Sequence, residues 1–294
     1  MALSDSLANY FGFEEHGTTL RTEVLAGLTT FLTMSYIVVV NPSILVGIPG
    51  EKPGIVVPGY GPGEVVSMLA VVTIIAAAVA TLIMALYANR PFGQAPGLGL
   101  NAFFAFTVVG ALGIPWQTAL AAVVVEGIIF IALTAAGARE YIIRAFPEPV
   151  KFAVGTGIGL FLAIIGLQAM GIVVDDPATL VQLGPVATDP VAIVSVVGLL
   201  FTFALYARGV RGSIILGIIV TTALGWVVAN AGLVSGDAAG RLVAGGASTT
   251  YDITPLAGAF VTGVADIEAF TFALVVFTFF FVDFFDTAGT LTGV

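Results

Sequence analysis

The chain has 294 residues, 59% of them hydrophobic and 9% charged, and a mean hydropathy of +1.10. A soluble domain carries about 25% charged residues, so a fold exposed to water is excluded. The absence of cysteine rules out disulfides, thiolate metal sites and cysteine nucleophiles, and a single histidine, His16, argues against a histidine-cluster metal site. A net charge of -9 disfavours a nucleic-acid partner.

In chain order, residues 1–21 are polar and acidic and lack a signal-peptide pattern, so His16 reads as solvated or at headgroup level. Apolar runs near the roughly 20 residues of a bilayer crossing follow at Thr22–Leu45, Val65–Ala88, Trp116–Ala136, Val150–Val173, Val191–Tyr206, Ser213–Val234 and Glu268 to about Thr292. The first helix is therefore an anchor. Between the second and third runs lies a shorter one, Leu100–Leu112, preceded by the stretch Arg90 to Gly99 with two prolines and three glycines. That composition forbids a regular helix and predicts an extended segment feeding a half-helix.

Counting basic residues in alternate loops orients the chain. With the N-terminus inside, one side collects Arg21, Arg90, Arg139, Arg144, Lys151, Arg208 and Arg211, the other only Lys52 and Arg241. This bias requires the Leu100 run to complete a crossing, giving eight spans. Outward loops hold acids from Glu51 and Glu64 to Asp266 and Glu268. The acidic, alanine- and valine-rich composition is that expected of a high-salt organism.

Three acids remain inside spans: Glu126 in the fourth, and Asp283 and Asp286 in the eighth. Each costs about 2.5–3.5 kcal/mol at a helix centre on insertion scales, so a functional role is the default. No lysine or arginine lies at that depth, and such carboxyls can take and release protons as access alternates. Asp283 and Asp286, three residues apart, share a helix face that Thr287 and Thr290 extend. Counted from Phe270, Asp283 lies about 20 Å into a core roughly 30 Å thick. Phe277–Val282 is aromatic, which suits a flat heterocycle, although most of these rings are expected to face lipid or neighbouring helices. Glu126 has two readings, a proton site or a protonated acid bonded to the nearby broken backbone.

Non-helical backbone at membrane depth survives only where it is buried or lines a cavity, and broken transporter helices aim free amides at substrate. Gly97 and Gly99 let a ligand approach the backbone. Asn101 can cap the half-helix or offer a donor and an acceptor to a ligand.

Three stretches, Thr30–Pro42, Ala95–Phe104 and Phe281–Leu291, resemble the signatures of AzgA-like purine permeases within the nucleobase-cation symporter-2, or xanthine/uracil permease, superfamily. The resemblance implies proton-coupled uptake of adenine, guanine or hypoxanthine across the cell membrane. It also implies an all-α polytopic fold of fourteen spans in two inverted seven-helix repeats, in which a core domain moves against a gate domain. On this chain, residues 22–137 carry core spans one to four with the broken segment at 91–100. Residues 147–234 carry gate spans five to seven, 235–267 an extracellular loop, and 268–294 the eighth span. Gly99, Asn101, Asp283, Asp286 and Thr287 take the substrate positions. Asp283, Asp286 and Glu126 take the proton-coupling positions. The proton is the coupling ion and no cofactor is expected; the partners are the purine and the bilayer, with a homodimer allowed for the full-length protein. Spans nine to fourteen do not follow Val294, so the chain is expected to be an incomplete sequence that does not transport alone.

Other classes fit less well. A retinal protein needs a mid-membrane lysine, whereas Lys52 and Lys151 lie in a loop and at a helix end. An anion transporter of the same fold needs a basic residue near the break, but Arg90 lies at the edge. No nucleophile–base pair or metal-ligand set points to a membrane enzyme. A xanthine or uracil transporter of the same fold stays open as the alternative substrate class.

Overall fold

The computed structural model describes residues 3–137, 147–210, 212–234, 236–242, 248–264 and 268–293. Arg139, Arg144, Arg211 and Asp266 lie outside the described residues, as do the side chains of Lys151 and Thr290. Among the described residues, six helical stretches are long and apolar enough to cross a membrane: Leu20–Leu45, Pro62–Leu86, Trp116–Ala135, Pro190–Ala207, Ser213–Asn230 and Ala269–Thr287, with shorter apolar helices at Leu98–Ala111 and Gly155–Ala169. The protein is an all-α, multi-pass membrane protein.

The first unit comprises Met1–Val40, Val72–Pro96 and Met170–Gly246. It begins with α1 (Leu3–Tyr10) and α2 (Leu20–Met34). The Thr19 hydroxyl caps α2 by accepting from the Thr22 amide, and Thr18 donates to Glu23 at 2.6 Å. The first span is not one continuous helix, as the sequence suggested. It breaks at Ser35–Tyr36, and α3 (Ile37–Leu45) resumes with Pro42 inside it. Thr33 and Ser35 turn their hydroxyls back onto carbonyls of the preceding turn, which bends helices, and Pro42 offers no amide to Val38.

Helix α4 (Pro62–Leu86) ends near a carbonyl, Leu86 O, that accepts from the Tyr10 hydroxyl. The backbone then runs without regular structure to Gly97, as the proline and glycine content predicts. Within this unit the Gln94 amide donates to Thr81 Oγ1 at 2.9 Å. A methyl on Gly93 would lie 2.7 Å from Met34 Sδ, so the extended segment is packed tightly against α2.

The fifth span was expected to reach Val173, but its helix α7 (Glu148–Ala169) stops earlier. Val173 opens a hairpin of β1 (Val173–Asp176) and β2 (Leu180–Leu183). Asp176 fixes the turn by accepting from the amides of Ala178 and Thr179 and from the Thr179 hydroxyl. Helices α8 (Pro190–Ala207) and α9 (Ser213–Asn230) follow. Asp189 caps α8 through the Val191 amide and pairs with Arg241 of α10 (Asp237–Leu242) at 3.5 Å.

Helices α8 and α9 meet through a reciprocal contact. A methyl on Gly198 would overlap Thr221, and one on Gly217 would overlap Thr202. Each threonine hydroxyl is tied to the carbonyl four residues back on its own helix, Thr202 to Gly198 at 2.8 Å and Thr221 to Gly217 at 2.7 Å. Small residues that let backbones approach closely suit a bilayer, where apolar burial between helices gains little over lipid.

The second unit comprises Asn41–Val71, Gly97–Ala169 and Ala247–Val294. Its core joins Val46, Ile55, Val65 and Leu69 to Phe104 and Val108 of the third span, Trp116 of the fourth and Phe279 of the eighth. The half-helix starts at Leu98, two residues earlier than read from sequence, because Gly97 takes the extended cap position. It comprises a short α5 (Leu98–Ala102) and then a π-helix over Phe103–Ala111. Beyond it come α6 (Trp116–Ala135), α7, α11 (Ala259–Thr262) and α12 (Ala269–Gly293). The loop read as 235–267 thus contains two short helices.

The turn after α3 packs on the π-helix: a methyl on Gly110 would lie 2.8 Å from Pro53 Cγ. Gly54, at φ +148, lies where a side chain would strike Leu45 O. The Lys52 ammonium donates to Ser43 O near the end of α3 and lies 6.0 Å from the Phe106 ring centroid. Burial pulls this ammonium below its ordinary range.

Candidate substrate and proton site

Within the second unit, α12 packs against α6, α7 and α5, and this brings most of the residues singled out in the sequence to one region. Asp283, Asp286 and Thr287 are half-buried on α12. Their three-residue spacing leaves an offset of about 60° and a rise of about 4.5 Å between the two aspartates, enough for each to reach a different neighbour.

Helix α12 packs on α6, and on that side Asp283 lies close to Glu126. Glu126 is 6% exposed, and its Oε1 is buried without a hydrogen-bond partner among the described residues. Oε1 makes no bond to the broken backbone, the second of the two readings of Glu126, among the described residues. Aromatic rings flank the pair. Phe130, one turn along α6, lies 6.0 Å from Phe280, which is 6.2 Å from Phe284.

Asp286 turns toward the start of the half-helix. A methyl on Gly97 would lie 3.1 Å from Asp286 Oδ2, closer than an ordinary contact, so the carboxyl rests on backbone that only glycine leaves open. Gly99 is less crowded: a methyl there would meet Ile158 of α7 at 3.8 Å. The broken segment thus offers Asp286 one glycine and α7 the other.

Asn101 does not cap the half-helix. The cap position belongs to Gly97, and the Asn101 amide donates to Gly97 O at 3.2 Å from inside α5. Its side chain donates to Asn41 Oδ1. Asn41, on α3, is 3% exposed and was not singled out from the sequence. The available signal was a polar residue just before Pro42 inside an otherwise apolar run, a position where a side chain must find a buried partner.

The phenylalanines before the aspartates divide much as expected. Phe279 is buried edge-on against Phe103 at 5.3 Å, whereas Phe277 and Phe281 are exposed and stacked at 6.0 Å. In the first unit, an apolar groove of about 640 Å³ runs between α2, α4 and the extended segment. It holds none of the predicted site residues. His16 is exposed, as expected.

A family model described as the permease family, of xanthine/uracil type, matches residues 21–294. A putative permease of Methanocaldococcus jannaschii is 40% identical over 96% of this chain and 59% of its own length. The adenine permease AdeP of Escherichia coli is 38% identical over 98% of this chain and 59% of its length. The guanine/hypoxanthine permease PbuG of Bacillus subtilis is 39% identical over 98% of this chain and 62% of its length. This chain therefore spans about three-fifths of the length of these relatives. The match over nearly all its residues makes the chain a member of the xanthine/uracil permease family.

Proposed function

We propose that this chain supplies the first spans of a proton-coupled purine nucleobase transporter of the cell membrane, with adenine, guanine or hypoxanthine as substrate. The observation that carries the reading is the meeting of the Asp286 carboxyl on α12 with the glycine start of the half-helix. Purine ring N–H groups are donors and match an acceptor carboxylate. The Asn101 amide, steadied by Asn41, supplies a donor and an acceptor of its own. Names of relatives such as AdeP and PbuG support the substrate class.

In this reading Gly99, Asn101, Asp283, Asp286 and Thr287 form this chain's share of the purine site, and Asp283, Asp286 and Glu126 handle the proton. The N-terminus is cytoplasmic, in keeping with the basic side of the loops. Residues 22–137 and 268–294 belong to the core domain and 147–234 to the gate domain. The test is uptake of radiolabelled hypoxanthine by the complete transporter in cells lacking their own purine permeases, with adenine, guanine, xanthine and uracil as competitors. Accumulation that collapses with a protonophore is the expected result. Uptake unaffected by excess purine but inhibited by uracil would refute the substrate class.

A further inference from the structure

Two side-chain amides meet between α3 and α5 in the second unit, where Asn101 Nδ2 donates to Asn41 Oδ1. Both stand on fixed backbone. On α3, Pro42 is fully buried, Ile37 and Ile44 are buried, and the Lys52 ammonium ties down Ser43 O. On α5, Ala102 is fully buried and the Asn101 backbone amide is bonded to Gly97 O. Asn41 is buried, whereas Asn101 is only half-buried, so the bond holds one side of the Asn101 amide and leaves the other to a ligand.

An amide exchanges its oxygen and nitrogen by a half-turn about Cβ–Cγ, with almost no change of shape. Against Asn41 Oδ1 only one of these orientations is bonded; the other sets oxygen against oxygen and forfeits the bond. One Asn101 N–H is thereby committed, and one N–H and the Oδ1 lone pairs remain, in a fixed order. A purine also presents an ordered pair at its six-membered ring. In hypoxanthine and guanine N1–H donates and O6 accepts, whereas in adenine N1 accepts and the 6-amino group donates. A fixed amide meets one order with two hydrogen bonds and the other with like against like.

Resting on the purine-transport reading, we propose that Asn41 is a positioning residue that fixes the orientation of the Asn101 amide and thereby discriminates between 6-oxo and 6-amino purines. Asn101 touches the purine, and Asn41 acts only through it. Without the Asn41 acceptor the Asn101 amide turns to suit either order, and the disfavoured purine gains.

The test uses the complete transporter in cells lacking their own purine permeases, with hypoxanthine and adenine each competing against uptake of the other in radiolabelled form. The readout is the ratio of their two inhibition constants. Asn41→Leu keeps the size and removes the acceptor, and is expected to bring that ratio about tenfold closer to one. Asn41→Asp keeps an acceptor in place and is expected to hold the wild-type ratio, a rescue that a loss of packing would not give. Asn41→Ser offers a hydroxyl that both donates and accepts, so it allows either orientation and is expected to relax the ratio as leucine does; it serves alone if Asn41→Leu does not fold. A rise of both constants by the same factor in these two variants, with the ratio unchanged, would overturn the proposal. So would a ratio in Asn41→Asp as relaxed as in Asn41→Leu, or a wild-type ratio of about one. A wild-type transporter that takes up neither purine would instead sink the transport reading on which the proposal rests.

Discussion

The α8–α9 crossing sets up a prediction that requires no ligand. Gly217→Ala places a methyl that overlaps Thr202 Oγ1 and lies 2.8 Å from its Cβ and 2.9 Å from its Cγ2. Rotating the hydroxyl away breaks its 2.8 Å bond to Gly198 O, and the Cβ contact remains whatever the rotamer. The helices must then part by 0.6 Å to reach the 3.4 Å at which ordinary contact begins. Overpacking costs about 1–3 kcal/mol, and three contacts below 3 Å put this site at the upper end. Alanine recovers about 1 kcal/mol of helix propensity over glycine. The net loss is about 2 kcal/mol, or roughly 4–8 °C of melting temperature for a chain near this size. Thermal unfolding in detergent, followed by the fluorescence of Trp226 on α9, measures it. Adding Thr202→Ala removes the Oγ1 and Cγ2 clashes but leaves the Cβ contact, so about 1 kcal/mol should return as a coupling between the two sites. Gly127→Ala is the control, since nothing lies within 4 Å of the added methyl. Equal stability of Gly217→Ala and Gly127→Ala would refute the close crossing.

Four further outcomes follow from single contacts. Gly97→Ala pushes a methyl to 3.1 Å from Asp286 Oδ2 and should weaken hypoxanthine binding to the complete transporter about tenfold; unchanged affinity would separate Asp286 from the purine. Asn41→Ala removes the buried acceptor of Asn101 and should cost about 1–2 kcal/mol of stability in detergent melts, while Asn41→Asp, which keeps an acceptor, should cost less. Burial lowers the Lys52 amine, so the unfolded state binds more protons between the folded value and the ordinary one near 10.4, and stability should rise with pH across that window. Carbon-13 NMR of reductively methylated protein carrying Lys151→Arg reads this titration directly, and an ordinary or raised value would refute the burial argument. Thr179 and Ala178 hold the Asp176 carboxyl below its usual range, so the hairpin turn gains stability above the unfolded value near 3.9 and loses it as pH falls through the folded one. Amide exchange at Thr179 should accelerate over that fall, and Asp176→Ala should exchange fast at every pH.

The spans were legible because composition alone decides them. Runs such as Val65–Ala88 and Ser213–Val234 have no polar alternative, and the observed helices Pro62–Leu86 and Ser213–Asn230 agree within a few residues. The break before the third span was legible for the same reason, since Pro91, Pro96 and their glycines cannot continue a helix. What composition could not reveal were features made by hydrogen bonds between separate residues. Examples are the hairpin after Ala169, the split at Ser35–Tyr36 and the widening of Phe103–Ala111 into a π-helix. Val173 is as apolar as the span before it, and only its pairing with Leu183 marks it as a strand.

The candidate site divides along the same line. Acids in a bilayer announce themselves by their cost, which is why Glu126, Asp283 and Asp286 stand out in a bare sequence. Their partners do not, because a partner depends on the rotation of α12 about its axis relative to α6 and α5, and side-chain periodicity alone carries no information about neighbours. An offset of about 60° between residues three apart is negligible when describing one helix face, yet it is enough to send Asp283 to Glu126 and Asp286 to Gly97. Asn41 shows the converse case. Its own sequence signal is faint, but once Asn101 is known to lie inside α5 rather than at its cap, its amide needs an acceptor at that depth, and Asn41 Oδ1 supplies one.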